Sequence, residues 1–370
     1  MQRTIRFLSG FKITKWDLAY LSITLSFYIF SLLTKNELHI IIAGILIGAW
    51  LVSRPSEWVA SGISSIGLYL GLSDYIIGTL SSLTAIIGEI IITILTVRIA
   101  LITGNIDFLA LAFLSILYSI GYNFLILGAL VAFRGGKYIP LTDEVFSREL
   151  EILDWALMAA LLLAFTWILG GKLSGSERII FLPRYATAVL PLAYIVYTAS
   201  VQRMRKEMKS RILTEEKLLA SIILVITGTV CALIGGELIT EGAYYFLTRG
   251  RDLISRWGSP IVVTALIIGA ASALYDAFIN MVFTSRGKIV TSVGNLIGSA
   301  IQLLMLLIGI VGFIVPLPLN GYAAFQLIAI SLVLLFFRQA IVDDRRLEPY
   351  EGAMMFILQL FIFIIPLEVF

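Results

Sequence analysis

Apolar residues run in stretches of about 18–20 along nearly the whole chain, broken by short polar segments. That is the length a helix needs to cross a hydrocarbon layer about 30 Å thick. Strict alternation of apolar and polar positions is absent, which argues against a transmembrane β-barrel. The pattern predicts an all-α polytopic membrane protein with eleven spans, near 17–34, 38–70, 75–97, 107–133, 149–170, 185–201, 218–247, 259–284, 290–314, 321–341 and 349–368. The second and seventh are long enough to tilt or bend, and Pro55 sits inside the second.

Composition agrees with the pattern. Of 370 residues, 59% are hydrophobic and 14% charged, against about 25% charged in soluble domains. The net charge of +3 is small and its basic residues fall in the loops, so no nucleic-acid partner is expected. One cysteine, Cys231, and one histidine, His39, leave no basis for an internal disulfide or a histidine-built zinc or haem site. No bound cofactor is expected. The basic start of the chain followed by an apolar run has the outline of a signal peptide. No small-residue cleavage site follows it, so a retained first helix is expected. With the N-terminus in the cytoplasm, 18 basic residues fall inside and 8 outside, while Arg54 lies within a span. The positive-inside rule therefore predicts a multi-pass cell-membrane protein with a cytoplasmic N-terminus.

The acidic positions carry an internal repeat. The segment 264–283, TALIIGAASALYDAFINMVF, is apolar apart from Asp276 and a few small polar side chains. A charge at the centre of a membrane helix costs roughly 2.5–3.5 kcal/mol on insertion scales, so such residues usually face a bundle interior or an aqueous path. Glu89 occupies the equivalent position in the first half. Glu57 to Gly62 also corresponds to Glu237 to Gly242, and the basic segment 201–217 divides the halves. Five spans on each side, an odd number, imply inverted repeats, a common transporter architecture with its site near the midplane. The expected organisation is a basic N-terminus and extra helix (1–36), a first five-helix repeat (37–201), a basic linker (202–217) and a second five-helix repeat (218–370).

The residues around these acids resemble the conserved repeats of the cation/calcium exchanger superfamily. Residues 56–89 are similar to the first repeat and 237–303 to the second, with the closest match in GKIVTSVGNLIGSAIQLLMLLIG, 287–309. The tail RRLEPYEGAMMFILQLFIF is similar to the family's last span. Asp276 falls on the family's acidic position, spaced without a gap from Gly294, Asn295, Gly298 and Ser299. With a gap of a few residues, Ser119 and Asn123 stand for the family's serine and downstream amide in the first half. In the second half Leu303 occupies the downstream polar position, with Gln302 beside it. The family's G-T-S-L-P-E is replaced by Thr84-Ala-Ile-Ile-Gly-Glu89 and Ala271-Ser-Ala-Leu-Tyr-Asp276. Both prolines and most of the hydroxyls are lost.

The resemblance implies a secondary cation antiporter, first of all a Na⁺/Ca²⁺ exchanger, with H⁺-coupled cation exchange as the alternative. The candidate ion ligands are Glu89, Asp276, Ser82, Thr84, Ser272, Ser119, Asn123 and Ser299. On helical spacing Ser272 and Asn280 share a face with Asp276. Two carboxylates, one from each half, would meet near the midplane and need compensation by one divalent ion or by two Na⁺ or H⁺. A site that is costly to leave empty crosses the membrane only when loaded, which is the physical basis of obligatory exchange. Glycines 78, 88, 269, 294 and 298 are expected to let backbones approach. The expected partners are the transported cations (Ca²⁺, Na⁺ or H⁺) and the lipid bilayer, with a monomer as the first reading and a homo-oligomer as the alternative. Two other readings compete: a membrane-embedded transferase, for which Asp343-Asp344 lacks the downstream acid, and a degenerate exchanger fold that no longer transports.

Overall fold

The computed structural model describes residues 13–69, 83, 86–133, 138–140, 143–174, 180–203, 215–285 and 289–368. These residues are almost entirely helical: α1 Lys15–Thr34, α2 Glu37–Tyr69, α3 Ile87–Thr103, α4 Ile106–Ala132, α5 Asp143–Ser174, α6 Arg184–Arg203, α7 Glu215–Thr248, α8 Arg251–Ile254, α9 Pro260–Ser285, α10 Ile289–Gln302, α11 Ile308–Ile314, α12 Gly321–Asp344 and α13 Pro349–Glu368. One wide π-type turn, Leu303–Leu307, joins α10 to α11. Four two-residue strands, β1 Ile139–Pro140, β2 Ile180–Phe181, β3 Pro318–Leu319 and β4 Arg346–Leu347, pair antiparallel as β1–β4 and β2–β3.

Among the described residues eight helices are long and apolar enough to cross a membrane, or nine if the bent pair Arg251–Trp257 and Pro260–Ala273 is one span. The all-α polytopic architecture is as predicted. The helix at the predicted third span begins its described part at Ile87 and runs on to Thr103. The predicted span 185–201 is a helix, α6, that is not among the eight.

The chain forms two compact units that interleave along the sequence: one of residues up to Leu95 with Gln202–Arg251, the other of Thr96–Val201 with Asp252–Phe370. In the first unit α1 starts at a capping box, in which Thr14 and Asp17 satisfy each other's backbone N–H. The same Asp17 carboxylate, 6% exposed, accepts from Arg54 Nε at 2.6 Å and from Trp50 Nε1 at 3.3 Å. Arg54 also pairs with Glu57 one turn on. Arg54, inside the predicted second span, is thereby paired with two acids. Tyr20 donates to the Leu46 carbonyl at 2.8 Å and adds a second tie between α1 and α2.

Helices α2 and α7 run antiparallel along most of their length, and glycine makes that possible. A Cβ on Gly48 would lie 2.6 Å from the Gly235 carbonyl oxygen, and one on Gly235 would lie 2.6 Å from that of Gly48. A Cβ on Gly62 would lie 2.6 Å from the Ser221 oxygen, one on Gly228 2.5 Å from the Pro55 oxygen, and one on Gly242 2.6 Å from the Ile45 side chain. Contacts thus recur every seven residues on both helices. This is a heptad seam in which small residues allow backbone-to-backbone approach without a lipid-excluded core.

In the second unit α4 is the central helix. Phe108, Leu111, Phe113, Leu114, Leu117, Tyr118, Phe124 and Leu127 are all essentially inaccessible. Helices α9, α10, α12 and α13 pack around it, and α5 packs on α12. Arg338 of α12 pairs with Asp154 of α5, and the short β pairs join the loops.

Candidate ion-binding site

Three helices of the second unit bring polar groups together in an otherwise apolar interior. On α4, Ser119 and Asn123 are one turn apart. On α9, Ser272, Asp276 and Asn280 follow at one-turn intervals, as helical spacing predicted. The two helices run parallel, so the Ser272 hydroxyl meets that of Ser119 at 3.4 Å, and Asn123 lies at the level of Asp276. Gly269 permits this approach. A Cβ there would stand 2.9 Å from Tyr118 Cβ and 3.1 Å from the Ser119 nitrogen. Helix α10 returns antiparallel beside them. Ser292 donates to the Asn280 carbonyl at 3.1 Å and lies 3.2 Å from the Thr284 hydroxyl, which brings Ser299 to the height of the acid. Asn123 and Ser299 both act on the Asp276 carboxylate, though neither stands in hydrogen-bond geometry with it.

Burial here is complete. Asp276, Ser119, Asn123, Asn280, Ser292 and Ser299 are fully inaccessible and Ser272 is 4% exposed. Both Asp276 carboxylate oxygens, both amide atoms of Asn123, Asn280 Oδ1, Ser299 Oγ and Asn295 Nδ2 lack a hydrogen-bond partner. Leaving one buried polar group unsatisfied costs about 1–3 kcal/mol, and more for a charged one. A group of them around one carboxylate is not a packing solution. It is the arrangement expected where a desolvated cation takes the oxygens directly. Two oxygens of Asp276 and one each from Asn123, Ser119, Ser272 and Ser299 make six side-chain oxygens, the lower end of the six to eight that Ca²⁺ takes.

Five of the eight predicted ligands therefore lie together: Asp276, Ser272, Ser119, Asn123 and Ser299. Glu89 lies in the first unit, in the first turn of α3, and is 3% exposed. Its neighbour Gly88 packs on Val52, where a Cβ would stand 2.3 Å from Val52 Cγ1. Ser82 and Thr84 lie outside the described residues. Gln302, noted beside the family's downstream polar position, donates to the Tyr194 hydroxyl at 2.9 Å and so is engaged with α6.

Sequence reasoning passed over Ser292 and used Asn295 only for alignment. Ser292, Asn295, Ser299 and Gln302 follow one another at spacings of three, four and three, a polar stripe down one side of an apolar helix. That stripe was the available signal. The glycines of α10 need correction. Gly294 and Gly298 were expected to bring backbones together, yet a Cβ on either would meet nothing within 4 Å among the described residues. Gly88 and Gly269 do serve close approach, and Gly78 lies outside the described residues.

A family model described as "Sodium/calcium exchanger protein" matches residues 220–367, which span α7 to α13 and contain Asp276 and the whole of α10. No curated protein matches the sequence. Among solved structures, that of the H⁺/Ca²⁺ exchanger CAX superposes with a TM-score of 0.70 at 17% identity, covering 100% of this chain and 93% of that one. The sodium–calcium exchanger NCX_Mj, soaked with Na⁺ and Sr²⁺, superposes with a TM-score of 0.60 at 18% identity, covering 88% of this chain and 98% of that one. These likenesses are of fold. The family match falls in the second half of the chain, where Asp276 and α10 lie.

Proposed function

We propose that the protein is a secondary active cation antiporter working by alternating access, with Asp276 at the ion-binding position. The observation that carries this reading is the fully buried Asp276 carboxylate, both oxygens unpartnered, facing hydroxyls and amides from three helices. An unneutralised carboxylate at such a place is costly. A bound cation supplies the missing charge and takes up the unpartnered oxygens, so the loaded form is the one that can rearrange. Exchange of Ca²⁺ against Na⁺ is the first reading, since the layer offers enough oxygens for Ca²⁺. The H⁺-coupled variant is the alternative, since protons can neutralise a carboxylate in the same place.

Glu89 is proposed as a second transport acid, on its near-complete burial and its matched place in the chain. The inverted-repeat organisation is proposed with it, and the α2–α7 seam supports it. If Glu57 corresponds to Glu237, residue i of the first half corresponds to i+180 of the second. Under that rule the contact Gly48–Gly235 maps onto Pro55–Gly228, and Gly62–Ser221 maps onto Ile41–Gly242. All four contacts are present, as a two-fold relation within the helix pair requires. The site in the cell membrane and the cytoplasmic N-terminus belong to the same proposal, on the 18-to-8 distribution of basic residues.

The test uses purified protein in sealed liposomes loaded with Na⁺ and diluted into Na⁺-free medium, with Ca²⁺ uptake followed and a pH gradient imposed in a parallel arm. Uptake that needs the Na⁺ gradient establishes Na⁺/Ca²⁺ exchange. Uptake driven only by the pH gradient keeps the antiporter and changes the coupling ion. No uptake in either arm from folded protein rejects the reading for these ions.

A further inference from the structure

One turn past Asp276 on α9 stands Asn280, fully inaccessible and satisfied at only one end of its amide. The amide nitrogen donates to the Asp276 carbonyl at 2.6 Å, while Oδ1 has no hydrogen-bond partner. The two ends cannot be exchanged. Turning the amide over would set its oxygen 2.6 Å from a carbonyl oxygen, two acceptors with no proton between them. The oxygen is therefore the end left over. Two hydroxyls meet at the same turn. Thr284 donates to the Asn280 carbonyl at 2.7 Å, Ser292 of α10 donates to it at 3.1 Å, and the two hydroxyl oxygens lie 3.2 Å apart. With both protons directed at that carbonyl, each hydroxyl oxygen keeps lone pairs to offer. Asn295 of α10 contributes a buried Nδ2 without a partner, a donor, and so stands outside this set of oxygens.

None of the oxygens of Asn280 Oδ1, Thr284 and Ser292 belongs to the six around Asp276. A buried acceptor without a donor is costly unless something positive takes it. The set carries no carboxylate of its own, and the desolvation cost of an ion rises with the square of its charge. A divalent ion is therefore matched to the Asp276 layer, and neutral oxygens suit a monovalent one. We propose that Asn280 Oδ1, with the hydroxyls of Thr284 and Ser292, forms a second cation position adjoining that of Asp276, towards the end of α9 nearest α10, and that it takes a monovalent cation such as Na⁺. The Asn280 amide joins the two positions, with its nitrogen on the Asp276 carbonyl and its oxygen given to the second ion. With one monovalent ion at each position, the pair carries the charge of a single divalent ion. The second position rests on the reading of Asp276 as the ion-binding acid.

Equilibrium binding of radiolabelled Na⁺ and Ca²⁺ to the purified full-length protein tests this without any flux. Wild type is expected to bind both. Asn280→Leu keeps the volume and removes the oxygen, and its Na⁺ affinity is expected to fall several-fold more than its Ca²⁺ affinity. A merely structural role for Asn280, acting through its bond to the Asp276 carbonyl, would weaken the two ions alike, and that result overturns the proposal, as does no loss for either ion. Ser292→Ala makes the same comparison with the bond from Asn280 to Asp276 intact, so the test stands even where Asn280→Leu does not fold. Wild-type protein that binds Ca²⁺ but no Na⁺ overturns the second position and leaves Asp276 as an ion site. Ca²⁺ binding that survives in folded Asp276→Asn overturns the reading of the acid instead, so the two proposals fail by different results.

Discussion

At the scale of single residues, Asp276 is fully buried with neither carboxylate oxygen in a hydrogen bond. Asp276→Asn keeps the shape and removes the charge. It is expected to abolish cation flux while leaving thermal stability in detergent equal to wild type or higher, because an unpaired buried charge is lost. Wild-type flux from folded Asp276→Asn would remove the residue from the ion site. Glu89→Gln is expected to abolish flux in the same assay without unfolding the protein. The ionic cluster of the first unit makes a contrasting case. Arg54→Met would leave Asp17 buried without its cation. Breaking a buried pair in this way costs about 3 kcal/mol, to be read as a lowered midpoint in thermal or denaturant unfolding. Adding Asp17→Asn to the same chain should return most of the loss, and a double variant as unstable as the single one contradicts the pairing account.

At the scale of helices, glycine has two opposite uses, and one substitution separates them. In the interior of a helix Ala is favoured over Gly by roughly 0.5–1 kcal/mol. At Gly294 nothing among the described residues stands within 4 Å of the added methyl, so Gly294→Ala should be neutral or slightly stabilising. At Gly235 the methyl would stand 2.6 Å from a carbonyl oxygen. Gly235→Ala is therefore expected to destabilise by about 1–3 kcal/mol as α2 and α7 are forced apart. Parallel thermal-unfolding curves of the two variants make the comparison, and equal midpoints would contradict the seam. Helix α10 repeats the lesson for polar groups. Its stripe of Ser292, Asn295, Ser299 and Gln302 is a single feature in the sequence, yet the fold sends Ser299 to the acid, Ser292 to a carbonyl of α9 and Gln302 to α6.

At the scale of the whole molecule, the two compact units each draw on both halves of the sequence. Linear division into repeats and division by contact are thus different partitions of one chain. Orientation is open to direct measurement in a Cys231→Ser background. Lys35→Cys, in the short turn between α1 and α2, should react with an impermeant maleimide added to intact cells. Arg345→Cys, at the end of α12, should react only after permeabilisation. The reverse pattern would place the N-terminus outside.

The sequence by itself determined what depends on local composition: helices rather than strands, a membrane as the solvent, the acid at position 276 and the serine and asparagine that share its helical face. These follow from hydropathy and the 3.6-residue period, which need no partner. Arg54 and Glu57, three residues apart on one helix, are neighbours by the same period. The sequence did not reveal Asp17 as the second partner, the heptad seam between α2 and α7, or the engagement of Gln302 by Tyr194. Each of these joins residues far apart in the chain. What a side chain meets across a helix interface depends on crossing and register, and only the tertiary structure decides those.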